Sequence, residues 1–306
     1  MIITRSGKIS DILYMMGDAY IPMYLLKGKR PVTIDAGFAC LGPIYEAEVK
    51  KNLQNTPPAC LLFTHAHFDH CGSAAYFKKV FPEMDIACST LAMETLARPK
   101  VLESIKSLST AAREQLMDNF DYPIPDIAFE PFEVTRPLSE GDRIDLGAGL
   151  HVEAIHTPGH TRDCMSYWVP EEKILFVSEA AGIPDVTGYI LCDHLIGYDI
   201  YMESLHRLAG FPADTLCLGH GVVFTGADAK NYFQKVVRQA KKFFFWVQEL
   251  LEKEKGDIEA MVKIIRAVEY DRVPFPKQPE PAYLWNLRCR ISAVQKKLQT
   301  GKGPCA

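Results

Sequence analysis

The sequence predicts an α/β protein whose last part is all helical. Short β-rich runs alternate with stretches of helical apolar spacing up to about residue 225. Some of these runs are continuously apolar, as in strands that are buried on both faces. After Gly226 the apolar residues recur at helical spacing only. We therefore expect a core over residues 1–225 and a helical C-terminal extension over residues 226–306.

The first half of the core is predicted to contain strands, a helix and a helical insertion. Residues 12–37 hold β-rich runs that residues 17–18 and 28–30 interrupt, which indicates hairpin turns. Residues 43–54 have helical apolar spacing, and "ACLLFT" (59–64) is typical of a buried strand. "MDIACS" (84–89) predicts another short strand. Residues 90–121 are predicted to be a helical insertion, in which Pro99 suits a first helical turn.

Strands return in the second half of the core. The runs "DRIDLGAGLHVEAIHT" (142–157), "MSYWV" (165–169) and "KILFVS" (173–178) have the composition of strands. A helix is expected around residues 200–209, followed by the strand in "DTLCLGHG" (214–221). Beyond residue 226, one helix is predicted up to Gly256 and two more near residues 257–270 and 281–299.

Composition excludes some classes of function. The net charge is −4 and the Lys and Arg residues are dispersed, so nothing indicates a long nucleic acid as partner. No stretch reaches the roughly 18 apolar residues of a membrane span, and the N-terminus lacks the pattern of a secretory signal. The nine cysteines form no C-x-x-C pair. We expect a cytoplasmic protein with reduced thiols and no membrane contact.

The segment "THAHFDHC" (64–71) predicts a metal site. An extended chain projects alternate side chains to one side, so His65 and His67 would point together after the buried strand. Asp69 and His70 follow where the chain turns toward a helix, and they would face an adjacent position. Imidazole and carboxylate ligands suit zinc, iron or manganese better than calcium or magnesium.

Two later segments offer further ligands at the ends of apolar runs. "LCLGHG" (216–221) places His220 between two glycines that let the backbone turn tightly. "HTPGHT" (156–161) offers both His156 and His160. The three remaining histidines have no supporting context and are expected to have structural roles: His151, His194 and His206.

Taken together, "THAHFDHCG", "HTPGHT" and "LGHG" resemble the metallo-β-lactamase superfamily in their content and order. "TIDAG" (33–37) is similar to the early strand motif of that family. The resemblance covers about residues 10–225. It implies an αβ/βα sandwich, in which two sheets pack together with helices outside and a dinuclear metal site lies at one edge. It also selects His160 over His156, which is left with a structural role.

The resemblance implies a role for each site residue. One ion would be held by His65, His67 and His160, and the other by Asp69, His70 and His220. The family commonly supplies a bridging aspartate from a strand that ends in Gly-Asp. This chain has Ser178-Glu179 there, so Glu179 would bridge with a side chain one methylene longer. Asp69 would be catalytic as a proton shuttle, and Asp35 would orient ligands.

The implied activity is that of a metal-dependent hydrolase. A hydroxide bound by two divalent ions, zinc by default and iron or manganese as alternatives, would cleave a small ester or thioester. The overall layout resembles the quinolone-signal-response thioesterase subgroup, in which terminal helices cover the pocket. A group of C-terminal aromatic residues would either line a substrate tunnel or pack between helices: Phe243, Phe244, Phe245, Trp246, Tyr283 and Trp285.

Two other functions stay open at this point. The same metal site would suit a phosphodiesterase that acts on small phosphoesters. Alternatively, the change from Gly-Asp to Ser178-Glu179 would mark a metal-stabilised regulatory or interaction module with weak catalysis. A small-molecule substrate is the expected partner, and the C-terminal helices are candidates for a homodimer contact.

Overall fold

The computed structural model describes residues 1–54, 56–119 and 123–301. In these ranges the strands, in chain order, are β1 Ile2–Ile3, β2 Gly7–Lys8, β3 Leu13–Asp18, β4 Ile21–Leu26, β5 Val32–Ile34, β6 Cys60–Leu62, β7 Asp85–Ser89, β8 Arg136–Leu138, β9 Arg143–Gly147, β10 Leu150–His156, β11 Met165–Val169, β12 Ile174–Phe176, β13 Ile183–Pro184, β14 Ile190–Leu191, β15 Thr215–Cys217 and β16 Val223–Thr225. The helices are α1 Gly42–Leu53, α2 Phe68–Cys71, α3 Ala74–Val80, α4 Thr90–Leu96, α5 Pro99–Asn119, α6 Tyr198–Ala209, α7 Ala227–Lys253, α8 Ile258–Glu269 and α9 Glu280–Gln299, with 3₁₀ turns at Ala39–Leu41 and Ser178–Ala181.

Two mixed sheets form a sandwich. One sheet has the strand order β2-β3-β4-β5-β6-β7-β8, and the other has the order β1-β16-β15-β12-β11-β10-β9. One buried cluster contains side chains from both sheets, among them Leu26 and Leu62 from the first and Tyr167 and Phe176 from the second. The sheets therefore pack face to face over an apolar layer. The α/β sandwich that the sequence predicts is confirmed.

Parallel strand pairs in both sheets position the loops that carry the metal-binding motifs. β5 pairs in parallel with β6, and β12 pairs in parallel with β15. The loops that follow these four strands carry Asp35, the His65–His70 cluster, Glu179 and His220 in turn. Since parallel strands end at the same edge of a sheet, side chains far apart in the sequence converge there.

The observed elements differ from the predicted ones around Glu179. The strand in "KILFVSEAAG" ends at Phe176, and a 3₁₀ turn at Ser178–Ala181 carries the glutamate instead. Val177, with a ψ of −9°, and Ser178, with a φ of 46°, both lie outside the β region, so the strand does not continue to Ser178. The following hairpin β13–β14 was not predicted. The insertion consists of two helices, α4 and α5, and its predicted residues 120–121 lie outside the described residues.

The chain after Gly226 forms the three predicted helices α7, α8 and α9, and the predicted residues 302–306 lie outside the described part. The buried face of α7 joins α6, α8, α9 and strand residues such as Leu216 and Phe224 in one large apolar cluster. The C-terminal helices thus pack directly on the second sheet. In the described ranges, every helix is too short or too polar to cross a membrane. The proposed division at residue 225 stays a prediction.

Candidate metal centre

The first group of predicted ligands lies together in the structure. His65 and His67 follow β6 with ring centroids 4.4 Å apart, and His160 arrives from the loop after β10. Nε2 of His160 is 3.1 Å from Nδ1 of His67. One nitrogen from each of the three rings lies within 4.8 Å of the others, a spacing at which they could share one ion. Their role as ligands stays a prediction.

The second group lies beside the first. Ligand atoms of Asp69, His70 and His220 also lie within 4.8 Å of one another. Nε2 of His220 is 3.5 Å from Oδ2 of Asp69, and Nε2 of His70 is 3.9 Å from the same oxygen. Asp69 and His70 are on the short helix α2, and the ring of His70 lies 4.3 Å from that of His65, so the two groups adjoin.

Glu179 lies between the two groups. Its Oε1 is 2.9 Å from Nε2 of His70 and 2.7 Å from Nε2 of His220. Its Oε2 is 3.7 Å from Nδ1 of His65, which belongs to the other group. The carboxylate is 2 % exposed. The longer side chain therefore reaches the centre, which is the position that a bridging ligand requires.

Hydrogen-bond partners outside the set of candidate ligands, here called outer partners, orient four of the five histidine rings. Nδ1 of His70 lies 3.0 Å from Oδ2 of Asp35, Nδ1 of His160 lies 3.2 Å from the carbonyl oxygen of Asp193, and Nδ1 of His220 lies 2.7 Å from that of Tyr20. Oxygens of this kind accept hydrogen bonds, so these Nδ1 atoms donate and Nε2 faces the centre. Nδ1 of His65 contacts the hydroxyl of Thr64 at 3.1 Å. Such outer partners hold metal-binding imidazoles in the correct orientation.

Burial dominates the electrostatics of the first group. Burial lowers the pKa of His65 well below its usual range, and the neighbouring His70 and His67 lower it further. Burial, with His160 beside it, lowers the pKa of His67 to about 4. The pKa of His160 is also lowered, mainly by burial. These rings are neutral at physiological pH and present lone pairs to a cation.

Carboxylates dominate the electrostatics of the second group. Burial by itself lowers the pKa of His70, but Glu179, Asp35 and Asp69 outweigh burial and hold that pKa well above its usual range. Burial likewise opposes protonation of His220, yet Glu179 raises its pKa. Burial favours the neutral form of Glu179, but His70 and His65 hold its pKa well below the usual range. This group is a set of histidine–carboxylate pairs.

Several residues that the sequence analysis did not single out support the centre. The hydroxyl of Thr64 contacts the Asp35 carboxylate and, at 3.0 Å, the hydroxyl of Ser178, which donates to Glu179. Thr64 directly precedes His65, and this position in the sequence could have indicated that it supports the centre. A Cβ at Gly219 would lie 2.9 Å from Oε1 of Glu179, so only glycine fits there without a shift. Nothing in the sequence indicated that Asp193 supports the centre.

The other histidines lie outside the centre. His156 contacts the carbonyl oxygen of Arg162 at 2.8 Å, and His151 pairs with Glu171. His194 is buried against the rings of Tyr198, Tyr201 and Phe243. The structural roles that the sequence predicts for these three residues stay a prediction.

A cavity of about 840 Å³ opens on the second group. Asp69 and His220 form part of its wall, together with aromatic rings that include Tyr20, Tyr270 and Tyr283. Of the six C-terminal aromatic residues considered above, only Tyr283 lines this cavity. Phe243 and Phe244 are buried between helices and Trp246 packs partly buried against them, whereas Phe245 and Trp285 are exposed.

The loop between α8 and α9 forms part of the cavity wall. The ring of Phe275 packs against Tyr20 at a centroid distance of 6.2 Å, and the Tyr20 carbonyl in turn accepts from His220. The side chain of Gln115, on α5, donates to the carbonyl of Lys277 at 3.0 Å. The helical insertion and the C-terminal region therefore meet at this loop, which lines the cavity.

A sandwich of two mixed sheets with a histidine-rich centre at one edge defines the class of metal-dependent hydrolases with this architecture. A sequence model of the family described as the metallo-beta-lactamase superfamily matches residues 16–220. The chain belongs to the metallo-β-lactamase superfamily, and the family prediction is confirmed. The finer resemblance to the thioesterase subgroup stays a prediction.

Curated relatives are similar over part of their length. A probable metallo-hydrolase of Burkholderia pseudomallei is 32% identical over 171 residues, which are 52% of this chain and 51% of that protein. A hydroxyacylglutathione hydrolase of Rhizobium meliloti is 35% identical over 97 residues, or 31% and 35% of the two chains. A glyoxylase B2 of Dictyostelium discoideum is 29% identical over 147 residues, or 48% of this chain and 42% of that one. The chain spans about half or less of these relatives.

Solved structures share the fold. An archaeal metallo-β-lactamase superfamily protein from Sulfolobus tokodaii aligns with a TM-score of 0.59 at 17% identity and covers 94% of this chain and 99% of that one. A metallo-β-lactamase from Novosphingobium pentaromativorans aligns with a TM-score of 0.55 at 22% identity, over 83% and 92% of the two chains. At these identities the likeness establishes the fold alone.

Proposed function

We propose that this protein is a dinuclear metallo-hydrolase of a small ester or thioester. One observation carries the proposal: two adjoining sets of candidate ligand atoms have Glu179 between them, and Asp69 and His220 of the second set line a cavity large enough for a small organic substrate. A buried cluster of nitrogens and carboxylate oxygens with no other evident role is typical of a catalytic metal site.

The donor set fits two divalent ions. The buried atoms without a hydrogen-bond partner in the described residues include Nε2 of His65 and Oδ1 of Asp69. Leaving such atoms unpaired is costly, and a cation that binds them removes the cost. The first ion would be held by His65, His67 and His160, and the second by Asp69, His70 and His220, with Glu179 between them. When bound, two ions would activate a water and neutralise negative charge that develops on the substrate.

Asp69 is the residue of this chain that would move a proton. Its Oδ1 is buried and has no hydrogen-bond partner among the described residues, while its Oδ2 lies near Nε2 of His220 and of His70. Asp69 also lines the cavity, so its carboxylate is within reach of a substrate there. A carboxylate in this position accepts the proton of an attacking water and returns it to the leaving group.

The cavity favours a substrate with an apolar part. Aliphatic side chains from the β13–β14 hairpin, such as Ile183, Val186 and Leu191, line it together with the aromatic residues Tyr20 and Tyr270. Burying an apolar acyl group against these side chains gives about 25 cal/mol per Å². Two relatives carry the name hydroxyacylglutathione hydrolase, and an acyl group on the sulfur of glutathione is a thioester. These observations support an acyl thioester or ester more than a phosphoester.

A substrate panel on metal-assayed protein tests the proposal. We expect two equivalents of a divalent ion by elemental analysis and turnover of short and medium acyl thioesters or aryl esters. His206→Ala, which alters an exposed histidine outside the centre, is the matched control and should keep both properties. Turnover of bis-aryl phosphodiesters alone would favour the phosphodiesterase. Metal-replete protein that is inert toward both panels would favour an interaction module.

A further inference from the structure

Arg290, on α9, is a buried cation far from the sequence motifs. Its guanidinium is 1 % exposed and pairs with both carboxylate oxygens of Glu269, on α8, at 2.8 and 2.9 Å. It also lies over the ring of Phe243, 3.9 Å from the ring centroid. A buried ion pair is weak evidence for added stability, because desolvation offsets much of the attraction. Added stability therefore does not explain why Arg290 is buried here, and a different role has to be found for it.

A second carboxylate, that of Asp193, is held by the same helix. Nε of Arg290 lies 3.6 Å from Oδ1 of Asp193, and Nδ2 of Asn286 donates to Oδ2 at 3.0 Å. Asp193 is fully buried in the loop between β14 and α6. Because residues 286 and 290 lie one turn apart on α9, they contact Asp193 from the same helix face.

The backbone of Asp193 contacts the candidate metal centre. Its carbonyl oxygen accepts a hydrogen bond from Nδ1 of His160 at 3.2 Å, and another from the backbone N–H of Leu195 at 3.0 Å. Since Nδ1 of His160 donates, its Nε2 keeps the lone pair and faces the ring of His67. The direction of the Asp193 carbonyl therefore sets the orientation and tautomer of His160.

We propose that Arg290 and Asn286 are positioning residues for His160 that act through Asp193. By fixing the Asp193 side chain, α9 holds the carbonyl that orients the imidazole, so the C-terminal helices complete the first metal group from outside. This inference rests on the proposed metal site. It gives the C-terminal extension a role in metal affinity that differs from covering the pocket.

Metal affinity of Arg290→Met protein tests the inference. We expect the affinity of the ion held by His65, His67 and His160 to fall about 10- to 100-fold, the usual effect of losing an outer partner of a ligand. The ion of the other group should bind as in the wild type. Stepwise zinc titration of metal-free protein against a chromophoric chelator measures both steps, and the absorption of bound Co²⁺ reports on ligand geometry. Arg288→Met, which removes an exposed pair with Glu259 and a hydrogen bond to the Leu284 carbonyl on the same helix, is the matched control.

Asn286→Leu provides a second variant that removes no charge, should Arg290→Met fail to fold. It should weaken the same binding step by about tenfold. A lower melting temperature of the metal-free variants with unchanged zinc affinities would show a merely structural role and overturn the inference. Wild-type protein that binds no metal would overturn the proposed function as well. Wild-type protein that binds two ions, beside variants that match Arg288→Met, would overturn this inference alone.

Discussion

The two groups of candidate metal ligands have opposite electrostatics although they adjoin one another. The first, His65, His67 and His160, is buried among like groups, and its pKa values are lowered. In the second, carboxylates raise the pKa values of His70 and His220. The first group is therefore ready to bind a cation without losing protons. In the second group the protonated histidines are paired with carboxylates, so His70 and His220 must release protons when an ion binds.

The largest effect is expected from removing the first group. A His65→Ala/His67→Ala protein should lose the bound ion of that group, because only His160 of its three ligands remains. Activity should fall by more than the roughly 10- to 100-fold that the loss of an outer partner costs. Elemental analysis beside steady-state rates measures both. Metal content equal to that of His206→Ala protein would contradict the assignment of this group.

Asp69→Asn distinguishes catalysis from binding in the second group. The amide keeps the size of the side chain but no longer takes up a proton at Oδ1. We expect kcat to fall by about 10²- to 10⁴-fold, the range for loss of a general acid–base. The ion of the first group should stay bound, since Asp69 is not among its ligands. A variant with full activity and one missing ion would instead identify Asp69 as a ligand without a proton-transfer role.

The sequence predicts the candidate ligands that are close together in the chain more directly than those that are far apart in it. His65, His67, Asp69 and His70 lie within six positions after a buried strand, so local spacing alone brings them together. His160 and His220 were predicted from their motifs at later strand ends, and the structure brings both to the same edge. Glu179 was predicted from the family pattern despite its different length, and it reaches the centre.

The outer partners of the centre were much harder to predict. Asp193 contributes a backbone carbonyl, which any residue type provides, so its identity carries no signal for that contact. Arg290 and Glu269 meet only because α8 and α9 contact each other, and such pairing depends on tertiary structure. Ser178 has a positive φ that residue type did not indicate, and for that reason the strand was predicted to extend too far.

The pH dependence of metal binding should separate the two groups. His70 and His220 have raised pKa values, so in the metal-free protein they carry protons that an incoming ion displaces. The affinity of the second ion should rise by up to about tenfold per pH unit for each proton released, between pH 6 and 8. The first ion should bind almost equally over this range, because the pKa of His67 is about 4.

Zinc titrations at pH 6, 7 and 8 measure both binding steps. Long-range ¹⁵N–¹H spectra of the metal-free protein provide an independent check, since they should show His67 neutral and His70 charged at pH 6. If the affinities of the two ions changed equally with pH, or if His67 were charged at pH 6, the proposed electrostatic difference between the two groups would be wrong.

The smallest effect is expected at Ser178, which directly precedes Glu179 and has an unfavourable backbone conformation. A φ of 46° costs an L-residue about 1–2 kcal/mol, whereas glycine adopts it freely. Ser178→Gly and Ser178→Ala both remove the hydroxyl that contacts Thr64 and Glu179. Since only the glycine variant also relieves the backbone, it should be more stable than the alanine variant by about 1 kcal/mol. Urea unfolding of the metal-free proteins measures the difference, and an alanine variant of equal or greater stability would show that the backbone at this turn is not strained.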